Sequence, residues 1–349
     1  MGPIPWGLVG SGAGRLASFR RVRAPGWRRC NLSGLPRRSR VLKTPRAHET
    51  CVAAITGAVS ERQRIFVGDV QGCSEELDEL IRRAHDRFGE DSEIWLVGDL
   101  VNRGPKNLEV LRQVRELVEA GRGRVVLGNH DLNLLRVAAG LRSMSWLDTF
   151  NDVLESPDFD DWFDWLRGLP LMLRSTLGGQ DFAMVHAAVH PDWSLDELER
   201  RTRRAEARLG DGSRADAESF LGADPGTDPD LDTLRCVTSC RSVNAMGNWK
   251  SSPPDEMDPD FIPWHVEWSA RNHGYGIVYG HWSLQGLHVA PWLRGLDTGC
   301  VHHGRGRRGL LTAWSPPPDE AEPFLSSSDH FWHIHARRAY YARRDAEPV

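Results

Sequence analysis

The sequence predicts a layered α/β protein, and three observations carry that prediction. Five short apolar runs each stop abruptly at a residue able to hold a cation. Arg64–Gly68 leads into Asp69-Val70-Gln71-Gly72, Ile94–Gly98 into Asp99-Leu100-Val101-Asn102-Arg103-Gly104, and Val125–Gly128 into Asn129-His130-Asp131. Phe182–Val185 leads into His186 and Ile277–Gly280 into His281. Such runs read as buried strands. Second, amphipathic stretches between the first three runs read as crossover helices. Third, with 40% hydrophobic and 26% charged residues over 349 positions, the chain has the composition of a globular protein with a substantial core. Open α/β sheets bind ligands beyond the carboxyl ends of their strands, so Asp69, Asp99, Asn129, His186 and His281 are expected to converge on one rim as a binuclear metal site.

The elements follow in order from about Arg62. Leu77, Leu80, Ile81, Ala84 and Phe88 recur at helical spacing after the first strand. Asn107 is a suitable N-cap for a second helix containing Leu108, Val110, Leu111, Val114, Leu117 and Val118. Strand, helix, strand, helix, strand is the opening of a layered α/β domain. Residues 132–170 read as helical, and a charged helix is expected over Ser194–Leu209. Residues 210–262, rich in Asp, Pro, Gly and Ser, read as a loop-dominated excursion. Late strands are expected at 276–280, 288–290 and 296–298, and a basic, aromatic helix at 331–344. The domain plan is therefore an extension over 1–61, a domain over 62–316 with an inserted cap at about 132–170 and 194–270, and a tail over 317–349.

Charge is uneven. Residues 1–60 carry eleven Lys or Arg against Glu49 alone, a net +10; the whole chain is −4, which leaves −14 on the remainder. An acidic body argues against a stable nucleic-acid partner and suits carboxylates that hold cations. The basic leader has no helical or strand period and reads as disordered, with an organelle transit peptide or a start set too far upstream as alternatives. No run of about 18 apolar residues spans a membrane, and six scattered cysteines suit reduced thiols and a cytoplasmic location. A zinc site at Cys236 and Cys240 would lack a second pair.

The ordered series GDVQG, GDLVNRGP, GNHD, VHA, GHW and LDTGC resembles the calcineurin-like metallophosphoesterases, and among them the phosphoprotein-phosphatase branch that includes symmetrical diadenosine tetraphosphate hydrolases. The resemblance spans residues 64 to 315. It implies two mixed β-sheets packed face to face and flanked by helices. It also implies a metal-dependent hydrolase that cleaves diadenosine tetraphosphate, or related dinucleoside polyphosphates and RNA ends capped with them, to ADP by a bridging hydroxide. Two cations about 3.5–4 Å apart would activate water and clamp the phosphate. The resemblance assigns Asp69 and Gln71 to the first metal, Asp99 to the bridge, and Asn129, His186 and His281 to the second. Most relatives have His at position 71; a neutral amide oxygen there favours manganese or magnesium over zinc, with cobalt or iron as further candidates.

The same resemblance gives Arg103 a bidentate grip on phosphoryl oxygens, against the alternative of a surface ion pair. His130 paired with Asp131 would be the acid that protonates the leaving oxygen. Asp297 would support the ligands, and Arg235 and Arg241 would contact distal phosphates. Trp146, Trp249, Trp264, Trp268 and Trp282 could stack on adenine or pack as core. His302 with His303, near the expected rim, could sense phosphate or pack, and His330, His333 and His335 resemble a metal tract in a peripheral tail. Two rival functions stay open: a phosphomonoesterase acting on phosphoproteins or small phosphates with the same metals, and an inactive binding scaffold suggested by Gln71.

Overall fold

The computed structural model describes residues 62–340 except 225, 253–257, 305 and 327–329. The expected basic extension and the last residues of the tail, 341–349, lie outside the described residues. The chain runs through β1 (Arg64–Val67), α1 (Ser74–Phe88), β2 (Glu93–Leu96), α2 (Asn107–Glu119) and β3 (Gly123–Val125). Helices α3 (Asn129–Ala138), α4 (Asn151–Leu154) and α5 (Phe159–Arg167) precede a hairpin of β4 (Met172–Leu177) and β5 (Gln180–Val185). Then come α6 (Leu195–Gly210), α7 (Arg214–Leu221), α8 (Pro229–Ser239) and the short strands β6 (Ser242–Val243), β7 (Trp249–Lys250) and β8 (Ile262–Pro263). Helix α9 (Trp264–Ser269), β9 (Gly276–Tyr279), β10 (His288–Ala290), β11 (Leu293–Gly295), a 3-10 turn at Cys300–His302, β12 (Leu310–Trp314) and β13 (Phe331–His335) complete it.

Two five-stranded mixed sheets result, ordered β13-β12-β1-β2-β3 and β10-β11-β9-β5-β4. In the first, β1, β2 and β3 are parallel; in the second, β5, β9 and β11 are parallel. Residues of each strand alternate between two faces, and the sequence obeys that period. Ile65 and Val67, Ile94 and Leu96, Ala183 and Val185 join the core under the helices. Phe66, Trp95, Phe182 and Met184, from the same strands, form the core between the sheets with Trp314 and Phe324. Ring centroids among Phe66, Trp95, Phe182, Trp314 and Phe324 stand 5.1–5.9 Å apart, so an aromatic layer joins the two sheets face to face.

Four expectations are corrected. Residues 210–262 are largely regular, because residues read as loop formers start helices instead. Ser213 accepts from the Asp216 amide while the Asp216 carboxylate accepts from the Ser213 amide. Asp228 accepts from the amides of Asp230 and Leu231, with Pro229 in the first turn of α8. The helix expected at 331–344 is a strand over Phe331–His335, paired antiparallel to β12 along its whole length, because Phe-Trp-His-Ile-His alternates and buries Ile334. The last strand of the second sheet is Leu293–Gly295, so Asp297 lies in the loop beyond it. Asn107 opens α2 without capping it. Its side chain accepts from the Asn102 amide and donates to Thr149 and Asp152.

Candidate metal centre

The site is built at the carboxyl ends of parallel strands from both sheets. Asp69 follows β1, Asp99 follows β2, Asn129 opens the helix after β3, His186 follows β5 and His281 follows β9. The backbone is bent sharply there. Of the eight non-glycine residues with positive φ among the described residues, five lie at or beside the site: Gln71 (48°), Asp99 (51°), Asn102 (83°), Arg103 (66°) and His281 (69°). Strained backbone clustered this way is retained where function over-determines it. Glycines let the strands close in. A Cβ on Gly128 would fall 2.2 Å from Asp99 Oδ1, and one on Gly280 would fall 2.0 Å from Asp69 Oδ1.

Hydrogen bonds fix the imidazole tautomers. His186 Nδ1 lies 2.8 Å from the Val97 carbonyl, and His281 Nε2 lies 3.2 Å from the Ser239 carbonyl. A carbonyl only accepts, so those nitrogens carry the protons. The other nitrogens present lone pairs inward: His186 Nε2 lies 3.0 Å and His281 Nδ1 2.7 Å from Asn129 Oδ1. His186 Nε2 is also 3.3 Å from Asp99 Oδ1. Burial lowers the pKa of His186 to about 4 and that of His281 well below its ordinary value, so both rings are neutral near pH 7. Lone pairs face lone pairs with no proton between them.

The carboxylates are equally uncompensated. Burial, reinforced by Asp297 and Asp99, pushes the Asp69 carboxyl well above its ordinary pKa. Burial raises Asp99 to about 7 and Asp297 to about 6. Backbone and amide donors meet them: the His281 N–H donates to Asp69, the His130 N–H to Asp99 Oδ1 (2.7 Å), Gln71 Nε2 to Asp99 Oδ2 (3.2 Å), and the Gly299 N–H to Asp297 (2.9 Å). Ligand atoms of Asp69, Asp99 and His186 lie within 4.8 Å of one another, all buried. Hard oxygens, inward lone pairs and unneutralised negative charge together fit divalent cations.

His130 departs from expectation in its partner. Asp131 was expected to orient it, but the Asp131 carboxylate accepts the backbone N–H groups of Leu100 (2.9 Å), Val101 (3.3 Å) and Gly128 (2.9 Å), a scaffold role. The ring is held by Asn102, whose Nδ2 lies 2.8 Å from His130 Nδ1 and 2.9 Å from Asp148 Oδ1. Asn102 Oδ1 accepts the N–H groups of Arg103 and Thr149, so its NH₂ must serve His130 and Asp148. Nδ1 of His130 is then an acceptor and Nε2 carries the proton. Burial, with Arg103 next, holds its pKa well below the ordinary value. Asp148 was missed by sequence reasoning: it lies in an insert 46 residues from Asn102, and no local pattern distinguishes it.

Residues 64–282 match the family model for calcineurin-like phosphoesterases. The chain belongs to that family. It is 38% identical over 254 residues to a symmetrical bis(5'-nucleosyl)-tetraphosphatase of Janthinobacterium sp. (strain Marseille), covering 68% of this chain and 89% of that protein. It is 40% identical over 251 residues to a protein of the same name from Aromatoleum aromaticum, covering 67% and 88%. A solved structure described as a candidate diadenosine tetraphosphatase shares the fold, with TM-score 0.53 at 22% identity over 80% of this chain and 96% of that one.

Other expected residues of this phosphoesterase divide into near and far. Arg103 lies at the rim with Nη1 3.4 Å from Asp148. Arg241 is close: its guanidinium reaches the His281 carbonyl at 3.5 Å and the Ser251 carbonyl at 2.8 Å, and it feels Asp297, Asp99 and Asp69. Arg235 lies beyond it, over the Trp249 ring at 5.8 Å. Trp264, Trp268 and Trp282 are buried core, and Trp146 is exposed. His330 pairs with Glu320 and His333 with Thr312, so the C-terminal histidines do not converge. Cys236 and Cys240 join no third ligand among the described residues. No helix among the described residues is long and apolar enough to cross a membrane.

Proposed function

We propose that this phosphoesterase hydrolyses diadenosine tetraphosphate symmetrically, water adding across the bond between the second and third phosphates to give two ADP. The single observation that carries the reading is the inward set of Asn129 Oδ1, His186 Nε2 and His281 Nδ1 beside unneutralised Asp99. The names of relatives at 38% and 40% identity supply the substrate. Asp69, Gln71 and Asp99 would hold one divalent ion, and Asp99, Asn129, His186 and His281 the other. Bound there, the ions supply an activated water and a clamp on phosphoryl oxygens. Manganese or magnesium suits the oxygen-rich first position.

The protein's own groups do the rest. Arg103 and Arg241 face the centre as cations able to take phosphoryl oxygens. His130, neutral and protonated on Nε2, donates a hydrogen bond to the leaving oxygen rather than acting as a strong acid. A departing diphosphate is a stable anion and needs no more than that, whereas an alkyl phosphate does. This preference separates the reading from a phosphomonoesterase. Related dinucleoside polyphosphates and RNA ends capped with them present the same anhydride, and the free, buried Cys73, Cys236, Cys240 and Cys300 suit a reducing cytoplasm. Incubation with diadenosine tetraphosphate and manganese, followed by anion-exchange separation, should yield ADP alone. AMP with ATP, or release of phosphate from phosphopeptides in its place, would overturn the assignment.

A further inference from the structure

A cleft opens directly off the metal centre between α3 and α8. Asn129, Leu132, Asn133 and Arg136 line it from one face of α3, since they recur three and four residues apart; Leu231, Leu234 and Arg235 line it from α8. Trp249 and Ser251 close its far side. Leu132, Leu221, Leu231 and Leu234 supply an apolar part of a mostly polar lining, and the cleft adjoins the site, because Asn129 and Ser239, both in its wall, touch His281.

Its two arginines are unlike those around them. On the neighbouring α6, Arg200, Arg201, Arg203, Arg204 and Arg208 each pair with an acid. Among the described residues, neither Arg136 nor Arg235 pairs with any carboxylate, and the buried Nε of Arg136 has no hydrogen-bond partner at all. Burial lowers the Arg136 pKa, and the charges of Arg235 and Arg142 lower it further. Two guanidinium groups held near one another without an anion cost free energy in the empty protein, and an entering diphosphate removes that cost. Trp249 is fixed for contact by its indole N–H, which donates to Asp232 at 3.1 Å.

We infer that this cleft is the seat of one nucleoside diphosphate half of the substrate, its phosphates on Arg136 and Arg235 and its nucleoside against Trp249 and the leucines. The inference rests on the hydrolase reading above and adds a subsite to it. A nucleoside diphosphate unit seated beside the metal centre also accounts for cleavage at the middle of a tetraphosphate, because the seated half spans two phosphates.

The test compares kcat/KM for diadenosine tetraphosphate with kcat/KM for p-nitrophenyl phosphate, which is too small to reach the cleft. Arg136→Ala should lower that ratio about ten- to a hundredfold, the effect of losing a charged hydrogen-bond partner, and Arg136→Lys less. Trp249→Ala should act mainly on KM for the dinucleotide, lowering the ratio about tenfold through lost stacking. A ratio within twofold of the natural protein in both alanine variants would overturn the inference. If either variant fails to fold, inhibition of p-nitrophenyl phosphate turnover in the natural protein decides. ADP should inhibit at concentrations at least tenfold below inorganic phosphate, and equal inhibition would overturn the cleft. Failure of the natural protein to form ADP from the dinucleotide would sink the hydrolase reading, while the inhibition comparison would still report on the cleft by itself.

Discussion

The loops at the strand ends and the helices inserted after β5 handle charge in opposite ways. Around α6 nearly every arginine finds an acid, several at the i, i+3 or i, i+4 spacing that stabilises an exposed helix by a few tenths of a kcal/mol per pair. At the strand ends Asp69, Asp99 and Asp297 are buried together and, among the described residues, form no ion pair with Lys or Arg, while the imidazoles offer lone pairs. Helix α6 meets its arginines with acids from within the chain. The rim is not met in this way, and only added cations complete it. The difference teaches that buried charge without a partner marks the site more sharply than residue type does, since acids and arginines are plentiful in both regions.

The contrast can be broken most severely at Asp99. Asp99→Asn should lower turnover of diadenosine tetraphosphate by about a thousandfold, the scale for removing a group that acts on developing charge, as read by ADP release. Near-normal turnover would dismiss the two-cation reading. Gly128→Ala should be almost as damaging, because its Cβ would meet Asp99 Oδ1 at 2.2 Å on a buried helix start; loss of manganese binding in calorimetry is the readout.

Removing metal sharpens the comparison through pH. Asp99 and Asp131 have folded-state pKa values of about 7 and Asp297 of about 6, all raised by burial. Each of these carboxyls contributes stability that is lost as pH climbs from the ordinary carboxylate range toward its folded value. The imidazoles of His130, His186 and His281, lowered by burial, act in the opposite sense below the ordinary imidazole pKa. Ionised carboxylates and neutral imidazoles both favour a cation, so the rise in Tm that manganese gives over EDTA should be larger at pH 8 than at pH 5.5, and an equal or smaller rise would contradict the account of the rim.

Asn102→Asp tests how His130 is held. A carboxylate facing Nδ1 favours the imidazolium, so the activity ratio of an alkyl phosphate ester over diadenosine tetraphosphate should rise about tenfold, within the range general acids contribute. An unchanged ratio would mean that Asn102 only shapes the backbone. The smallest effect belongs to the self-sufficient region. Ser213→Ala removes the α7 cap and should cost about 1 kcal/mol in denaturant unfolding while kcat stays within twofold.

Much of the fold was legible because burial imposes a period on the chain. The apolar runs of β1, β2 and β5 mark strands buried on both faces, and Leu77, Leu80 and Ala84 mark the buried side of α1. The helix start at Ser194 was legible, whereas Asn107 was misread as a cap and Ser213 and Asp228 as loop, although residues that favour turns start helices there for the same hydrogen-bonding reason. Asp69, Asp99, Asn129, His186 and His281, which the structure brings to one rim, were legible from their position after a strand; Gln71 came from the family motif, and its side-chain amide donates to Asp99.

What the sequence determined by itself was the list of groups able to do chemistry and the strands that deliver them, because side-chain type and period are local properties. The tertiary structure alone decided which groups face one another. It gave His130 to Asn102 and Asp148 instead of Asp131, spent Asp131 on three backbone amides, and set Arg136 in a cleft without a carboxylate. Those pairings join residues up to 46 positions apart, and a hydrogen bond depends on distance and direction in space, which no local pattern encodes.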